Sequence, residues 1–291
     1  MHITLDCIPC IVNSFVRLVN NGLLPEEKKE PAMRSVLTFL AQADYRKSPP
    51  ALGREMHRVI RSALNDPDPY KDIKEKYNKM MLDRFPEFRD MVNNAEDPFD
   101  TALRLAMAGN VIDFGPQNQL NIKDTIDRVV HADLAIDDSP SLRRDLQRAQ
   151  SVLYVGDNCG EIVLDKLFIE TIGHPDMTFA VRDTPVLNDA TLEDAYMIGM
   201  DKHALLITTG DDAPGAVWET ALQSFKDKLQ SVDVVLAKGQ GNLEGLIEIE
   251  APIYYILVVK CPLIGNRLGV ETGDFVVSLS PKWKKTQTGI S

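Results

Sequence analysis

From about residue 150 onwards, short β-rich runs alternate with helical stretches, and this alternation restricts the fold more than any other feature of the sequence. The runs are SVLYVGD, MTFAVRD, HALLITTGDD, VDVVLAKGQ and IYYILVV. Continuous apolar runs that alternate with helices are typical of parallel strands covered on both faces. The pattern predicts a Rossmann-like α/β/α sandwich, in which ligands bind beyond the carboxyl ends of the strands.

The first half of the chain has a helical pattern instead. The segments IVNSFVRLVN, AMRSVLTFLA, GREMHRVIRSAL and DTALRLAMAGNVIDF place apolar residues three and four positions apart, and helix-ending motifs such as NNGLLP and KSPP separate them. We therefore predict an N-terminal helical-bundle domain over residues 1–120 and a Rossmann-like α/β domain that binds metal and phosphate over residues 121–291. Residues 120–150 read as helical and charged, and are compatible with either unit.

Charge and composition limit the classes of partner. The chain has 291 residues, is 44% hydrophobic and carries a formal net charge of −11, so a nucleic acid or an anionic membrane surface is not expected as a partner. Its apolar runs are too short to span a bilayer, its first residues lack a secretion signal, and its four cysteines are too few for a disulfide framework. We expect a cytoplasmic protein with reduced thiols, and no feature selects an oligomeric state.

Hard oxygen ligands follow two of the predicted strands. Asp157 and Asn158 come directly after VLYV, and the loop RDTPVLNDAT after TFAV contains Arg182 and Asp189. Structural turns and helix caps explain Asp and Asn at such positions equally well when each motif is taken alone. Taken together, Asp157, Asn158 and Asp189 form a plausible ligand set for Mg²⁺ or Mn²⁺ that leaves positions open for water and a phosphate.

A third strand, VVLA, is followed by the motif KGQGN, which contains Lys238, Gly239, Gly241 and Asn242. Glycines at such a turn let backbone N–H groups approach an anion, and an adjacent lysine adds a positive charge. This motif is predicted to hold the phosphate from the side opposite the metal. An acidic protein needs such a local device to bind an anion.

The order of several motifs resembles that of a known family. The motifs are LDCIPC, AGNVIDFG, YVGDNCGEIVLDKLF, VRDTPVLNDAT, KGQGNLEGL and KCPLIGNRLGVETGDFVV. Together they resemble the DUF89 proteins, the metal-dependent damage-control phosphatases. The similarity is greatest to the branch with a paired-cysteine motif near the N-terminus, here Cys7 and Cys10. It extends over nearly the whole chain.

The resemblance implies hydrolysis of phosphate esters of small, often reactive metabolites. It implies that Asp157, Asn158 and Asp189 bind a divalent cation, for which we expect Mg²⁺, Mn²⁺, Co²⁺ or Ni²⁺. It also implies that Lys238 to Asn242 form the phosphate loop. The chain reads KGQGN where family members that act on sugar phosphates often read KGDLN, so their substrate preference does not transfer directly.

The expected site has a catalytic set and a substrate-binding set. The catalytic residues are predicted to be Asp157, Asn158, Asp189 and Lys238. The residues predicted to bind the substrate or its phosphate are Asn110, Asp113, Glu161, Gly239, Gly241 and Asn242. Asn110 and Asp113 interrupt the apolar run LAMAGNVIDF of the helical half, where buried polar groups need partners.

Two alternatives from other functional classes stay open at this point. The first is a methyltransferase that uses S-adenosylmethionine, which YVGDNCGE suggests superficially, although the glycine-rich cofactor loop is missing. The second is a protein that binds a metal or a metabolite without catalysis. The pair Cys7 and Cys10 is interpreted as a packing or site-wall feature in preference to a metal site, because four paired ligands are the usual requirement.

Overall fold

The structure, a computed structural model, describes residues 1–20, 22–110 and 122–288. The helices are α1 Cys7–Asn20, α2 Glu26–Gln42, α3 Pro49–Leu64, α4 Lys71–Asp83, α5 Phe85–Asn93, α6 Pro98–Gly109, α7 Ile122–Val130, α8 Ser139–Arg148, α9 Glu161–Ile172, α10 Leu192–Met197, α11 Gln223–Ser231, α12 Gly239–Leu246, α13 Pro262–Leu268 and α14 Pro281–Thr288, with a short 3-10 helix at Met200–Lys202. The strands are β1 Leu134–Asp137, β2 Val152–Val155, β3 Met177–Val181, β4 Leu205–Thr208, β5 Val234–Lys238, β6 Ile253–Val258 and β7 Phe275–Leu279.

The described strands form one seven-stranded sheet in the order β1-β7-β6-β5-β2-β3-β4. The five predicted strands are β2 to β6, and they are mutually parallel. Strand β7 pairs antiparallel to β6, and β1 pairs parallel to β7. The parallel part of the sheet confirms the prediction, and the antiparallel edge extends it.

Strand β1 corrects the reading of residues 120–150 as helical. The segment Leu134–Asp137 lies between α7 and α8 and pairs with β7. Its side chains alternate between partly buried and exposed, as expected of a half-covered edge strand. Four residues are too short a run for that alternation to stand out between two helices.

Helices cover both faces of the sheet because alternate side chains of each strand enter different cores. Val152 and Tyr154 of β2 enter a core shared with α4 to α10, whereas Leu153 and Val155 enter a core shared with α11 to α13. The sheet is therefore the middle layer of an α/β/α sandwich. Strands buried on both faces explain why the apolar runs are continuous in sequence.

Helices α1 to α3 form a third core of their own, which contains Phe15, Val36 and Leu52. Helices α4 to α6, in contrast, share their core with the sheet, and so does α7. The division predicted at residues 120 and 121 falls between α6 and α7, which are two helices of the same core. This division stays a prediction. In the structure, the apolar core changes between α3 and α4.

Ion pairs attach α3 to the loop that follows β4. The Arg54 side chain lies 2.6 Å from the Asp211 carboxylate, and Arg58 and Arg61 both contact Asp212. Although burial disfavours its charged form, the Arg58 and Arg61 hydrogen bonds lower the pKa of Asp212 to about 2. These contacts place the small helical unit beside the carboxyl edge of the sheet.

Within the described ranges, the helices are too short or too polar to cross a membrane.

Candidate functional site

The predicted ligands meet where three adjacent strands end. Strand β2 lies between β3 and β5, so the segments that follow these strands are neighbours at one edge of the sheet. Asp157 and Asn158 follow β2, and Asn158 forms an isolated bridge with Asp189. The Asp157 carbonyl accepts a hydrogen bond of 2.8 Å from the Ala190 N–H. The backbone therefore fixes the two acidic segments to each other.

Arg182 lies between the two carboxylates. Its Nε donates to Asp189 Oδ2 at 2.7 Å, and one of its terminal nitrogens lies 3.5 Å from Asp157 Oδ1. The side chain of Arg182 is almost fully buried, and its Nη1 has no partner among the described residues. The sequence placed Arg182 on this loop but assigned it no role. The sequence signal that could have identified it is a cationic residue directly after β3, in the same loop as Asp189.

Asn110 and Asn158 join Asp157 to Glu161, the first residue of α9. Asn110 Nδ2 lies 3.0 Å from Asp157 Oδ2 and 3.1 Å from Glu161 Oε2. Asn158 Nδ2 lies 2.8 Å from Asp157 Oδ2 and 3.0 Å from Glu161 Oε2. The structure thus brings Asn110, at the end of α6, to the strand ends. Asp113 lies outside the described residues.

Lys238 is fully buried beneath this cluster. Its Nζ lies 2.8 Å from Glu161 Oε1, 2.6 Å from Asp165 Oδ1 and 2.8 Å from the Ala106 carbonyl oxygen. Tyr154 donates a further hydrogen bond of 2.7 Å to Asp165. Each ammonium hydrogen therefore has an acceptor within the protein. The predicted contact of Lys238 with phosphate stays a prediction, and the observed contacts instead fix Glu161.

Asn242 makes only internal contacts among the described residues. Its Nδ2 donates to the carbonyl oxygens of Gly156 and Lys238 at 3.1 and 2.6 Å, and its Oδ1 accepts from the Ala216 N–H at 2.8 Å. The side chain thereby joins the ends of β2 and β5 to the loop before α11. Asn242 therefore shapes the glycine turn, and its predicted contact with phosphate stays a prediction.

Gly239 lies against Asp157, one of the predicted metal ligands. It has a φ of +77°, and a Cβ at this position would lie 2.0 Å from Asp157 Oδ2 and 3.2 Å from Asn110 Nδ2. The glycine turn and Asp157 therefore belong to one site. A side chain at this position would have to displace the carboxylate.

We expect Gly239→Ala to lower kcat/KM by about tenfold or more, because the new methyl group displaces Asp157 in addition to straining the backbone. The matched control is Gly269→Ala. Gly269 has a nearly equal φ of +76°, but nothing lies within 4 Å of its added Cβ. Both variants are compared by steady-state kinetics and by thermal unfolding. Equal kinetics for the two variants would show that the clash with Asp157 has no functional consequence.

The buried charges of the site are unbalanced. Four carboxylates, those of Asp157, Glu161, Asp165 and Asp189, face two cations, Arg182 and Lys238. Burial, followed by the charges of Glu161 and Asp189, raises the pKa of Asp157 to about 8. Burial also raises the pKa of Asp189. The charged form of the cluster has two negative charges too many.

A divalent cation fits this imbalance. It would cancel the two excess charges, and Asn158 Oδ1 and Asp189 Oδ1 have no hydrogen-bond donor in the described parts of the chain. Carboxylate and amide oxygens are the usual ligands of Mg²⁺ and Mn²⁺. No three His, Cys, Asp or Glu side chains of the described residues are arranged to hold a metal together. The candidate set does not contradict this, since it has two carboxylates and one amide.

Comparisons with known proteins identify the family. A profile of the damage-control phosphatase ARMT1-like domain matches residues 3–276. The chain is 35% identical to an uncharacterized protein of Methanocaldococcus jannaschii over 94% of this chain and 93% of that protein. It is 30% identical to a damage-control phosphatase of Pyrococcus horikoshii over 95% of this chain and 97% of that one.

A solved structure has the same fold. The crystal structure of a DUF89 family protein from Pyrococcus horikoshii matches with a TM-score of 0.87 and 29% identity, covering 96% of this chain and 99% of that one. The chain belongs to the damage-control phosphatase ARMT1-like family. The family resemblance of the sequence motifs is thereby confirmed, as is the α/β fold class.

Proposed function

We propose that this protein is a divalent-metal-dependent phosphatase that hydrolyses phosphate esters of small metabolites. Family membership supports a phosphatase of the damage-control type. The observation that carries the metal requirement is the buried cluster of four carboxylates and two cations at the carboxyl edge of the sheet. Asp157, Asn158 and Asp189 would hold the cation. When bound, the cation would polarise the phosphoryl oxygens and lower the pKa of a bound water.

The remaining residues hold this ligand set in place. Arg182 neutralises and orients Asp157 and Asp189, while Lys238 fixes Glu161, which in turn accepts hydrogen bonds from Asn110 and Asn158. Although burial disfavours a charged Glu161, the adjacent Lys238 holds its pKa below the ordinary value. Glu161 therefore stays an acceptor. This arrangement directs the carbonyl oxygen of the Asn158 amide away from Glu161.

The phosphate is proposed to bind at the backbone of Gly239 to Gly241, with Lys260 as the cation on the open side. Lys260 is exposed, follows β6 and donates its backbone N–H to Gln240 Oε1 at 2.8 Å, so it is fixed to the glycine turn. Its charge acts to lower the pKa values of both Asp157 and Asp189. Lys260 supplies the exposed positive charge that buried Lys238 does not.

We expect Lys260→Ala to raise KM about two- to fivefold with a smaller change in kcat, because an exposed charge contributes about 1 kcal/mol or less to binding. Lys282→Ala is the control, since it removes an exposed lysine of α14 that pairs with Glu248. The measurement is steady-state kinetics at fixed ionic strength. An unchanged KM for Lys260→Ala would remove this residue from the substrate site.

The decisive experiment is an assay of the purified protein against a panel of phosphate esters. Release of phosphate is measured with Mg²⁺, Mn²⁺, Co²⁺ or Ni²⁺ and with a chelator, beside a binding test for S-adenosylmethionine. We expect turnover that the chelator abolishes and a metal restores. Metal binding without turnover of any ester would favour the non-catalytic alternative. Binding of S-adenosylmethionine would favour the methyltransferase.

Cys7 and Cys10, at the start of α1, support membership of the branch with the paired-cysteine motif. The damage-control phosphatase relatives support a small phosphorylated metabolite as partner, and the acidic net charge argues against nucleic acid or an anionic membrane. A cytoplasmic location is part of the same proposal. Because the chain has KGQGN where sugar-phosphate members often have KGDLN, their substrate preference is not carried over to it.

A further inference from the structure

A surface pocket of about 460 Å³ lies away from the catalytic edge of the sheet. It is lined by residues of α5, of α9 and of the segment 198–203 around the 3-10 helix, namely Arg89, Lys166, Glu170, Ile198, Gly199, Lys202 and His203. Helix α9 begins at Glu161 in the candidate site, and Glu170 lies nine residues further along it. At 1.5 Å per residue the two positions are about 13 Å apart along the helix axis. The pocket is therefore separate from the proposed phosphate turn.

Positive charge is in excess in this pocket, although the protein as a whole is acidic. Arg89, Lys166 and Lys202 face one carboxylate, Glu170. Arg89 contacts one Glu170 oxygen at 2.8 Å, and His203 Nε2 lies 3.2 Å from the other. Both oxygens of Glu170 are thus engaged. Neither Lys166 nor Lys202 forms an ion pair with a carboxylate of the described ranges.

Lys166 is the most informative member of this group. Lys166 is more than nine-tenths buried. Its Nζ donates a hydrogen bond of 2.8 Å to the Ile198 carbonyl oxygen and lies 4.2 Å from the centroid of the Phe85 ring. Burial lowers the pKa of Lys166; the charge of Glu170 opposes this shift, and the charges of Arg89 and Lys202 add to it. A buried cation normally contacts a carboxylate directly, whereas Glu170 acts on Lys166 only through its charge while its oxygens contact Arg89 and His203. An anion in the pocket would supply the missing partner.

We propose that this pocket binds a small phosphate dianion, either free phosphate or a phosphate monoester. Two ammonium groups and one guanidinium group are suited to the charge and tetrahedral geometry of phosphate. The volume exceeds that of a bare phosphate and admits a small organic group. The site does not depend on the proposed hydrolysis, since none of its lining residues belongs to the catalytic cluster.

The test uses the full chain and resolves the two sites by NMR. The backbone amide of Gly199, which lines the pocket, is followed while inorganic phosphate is titrated against chloride at constant ionic strength. A second arm uses methylphosphonate, which carries an organic group and is not a phosphate ester. We expect a saturable shift of the Gly199 resonance. Tighter binding in the second arm would identify an organic phosphate, and weaker binding would identify free phosphate, as the better ligand.

Two variants with the same change in net charge test whether the charges of the pocket cause the phosphate binding. Lys202→Glu reverses an exposed charge of the pocket and is expected to weaken binding at the Gly199 probe about tenfold. Lys282→Glu makes the same change in net charge on α14 and is expected to alter it by less than about twofold. Lys166→Met tests the buried charge if its fold, checked by thermal unfolding, is intact. No saturable shift at Gly199, or equal effects of Lys202→Glu and Lys282→Glu, would overturn the proposal.

The same variants keep this site distinguishable from the catalytic one. Lys202→Glu is expected to retain the kcat of the unaltered protein in the phosphate-ester assay at saturating substrate. Loss of phosphate binding at Gly199 with retained turnover supports the second site. Turnover absent in every form of the protein would refute the proposed hydrolysis while leaving the Gly199 titration as an independent result.

Discussion

Lys238→Met is expected to destabilise the protein by about 3–5 kcal/mol, because it leaves two buried carboxylates without their cation. The Lys238 ammonium lies 2.8 Å from Glu161 and 2.6 Å from Asp165, and all three side chains are fully buried. Methionine preserves most of the volume of the lysine stem, so the loss reports mainly the charge. Chemical denaturation of the metal-free protein gives the free energy of unfolding.

Two further variants separate this effect from a general loss of packing. Lys282→Met removes a half-exposed lysine and is expected to change stability by less than about 1 kcal/mol. The double variant Lys238→Met with Asp165→Asn removes one of the uncompensated charges, so its loss should be smaller than the sum of the single losses. Additive losses in the double variant would show that the charge of Asp165 is not what Lys238 compensates.

The direction of the Lys238 side chain depends on the strand that precedes it. The motif KGQGN places Lys238 at the end of a strand beside two glycines, and this position suits a phosphate contact equally well on either side of the backbone. The strand's alternation decides the direction. Because Lys238 and Leu236 are two residues apart in β5, their side chains point to the same face, and Leu236 lies in the core below α9. The lysine is consequently directed at Glu161 and Asp165.

The parts of the fold that the sequence predicts are those with long, uniform patterns. The parallel strands β2 to β6 are continuous apolar runs, and the carboxylates that follow them meet because parallel strands end at one edge. Strand β1 has four residues, and it pairs with β7, in which the partner of Asp137 is Val277, 140 residues further along the chain. No local sequence pattern therefore specifies the pair. Arg182 escaped assignment because its partners are set by tertiary contacts.

Asp157→Asn is expected to lower kcat/KM by about 10²-fold or more and to lose bound metal while the fold is retained. An amide is a much weaker ligand than a carboxylate for a hard cation, and metal polarisation of a phosphoryl group is worth several kcal/mol. The fold should tolerate the change, because the Asp157 carboxylate is buried beside Glu161 and Asp189 and its pKa is raised to about 8. In the metal-free protein at neutral pH this raised pKa favours the protonated carboxyl, which the neutral asparagine side chain resembles.

The measurements are metal content by mass spectrometry, kinetics across the phosphate-ester panel, and the free energy of unfolding without metal. Asp189→Asn is the second test and is expected to behave alike, since an amide oxygen still accepts the Arg182 Nε hydrogen bond. Asp183→Asn is the control: it neutralises an exposed acid of the same loop that contacts Thr208. Metal content equal to that of the unaltered protein in both Asp157→Asn and Asp189→Asn would exclude these carboxylates as ligands. Retained metal with lost turnover would instead place them in the chemical step, because the cation would then be held by other groups.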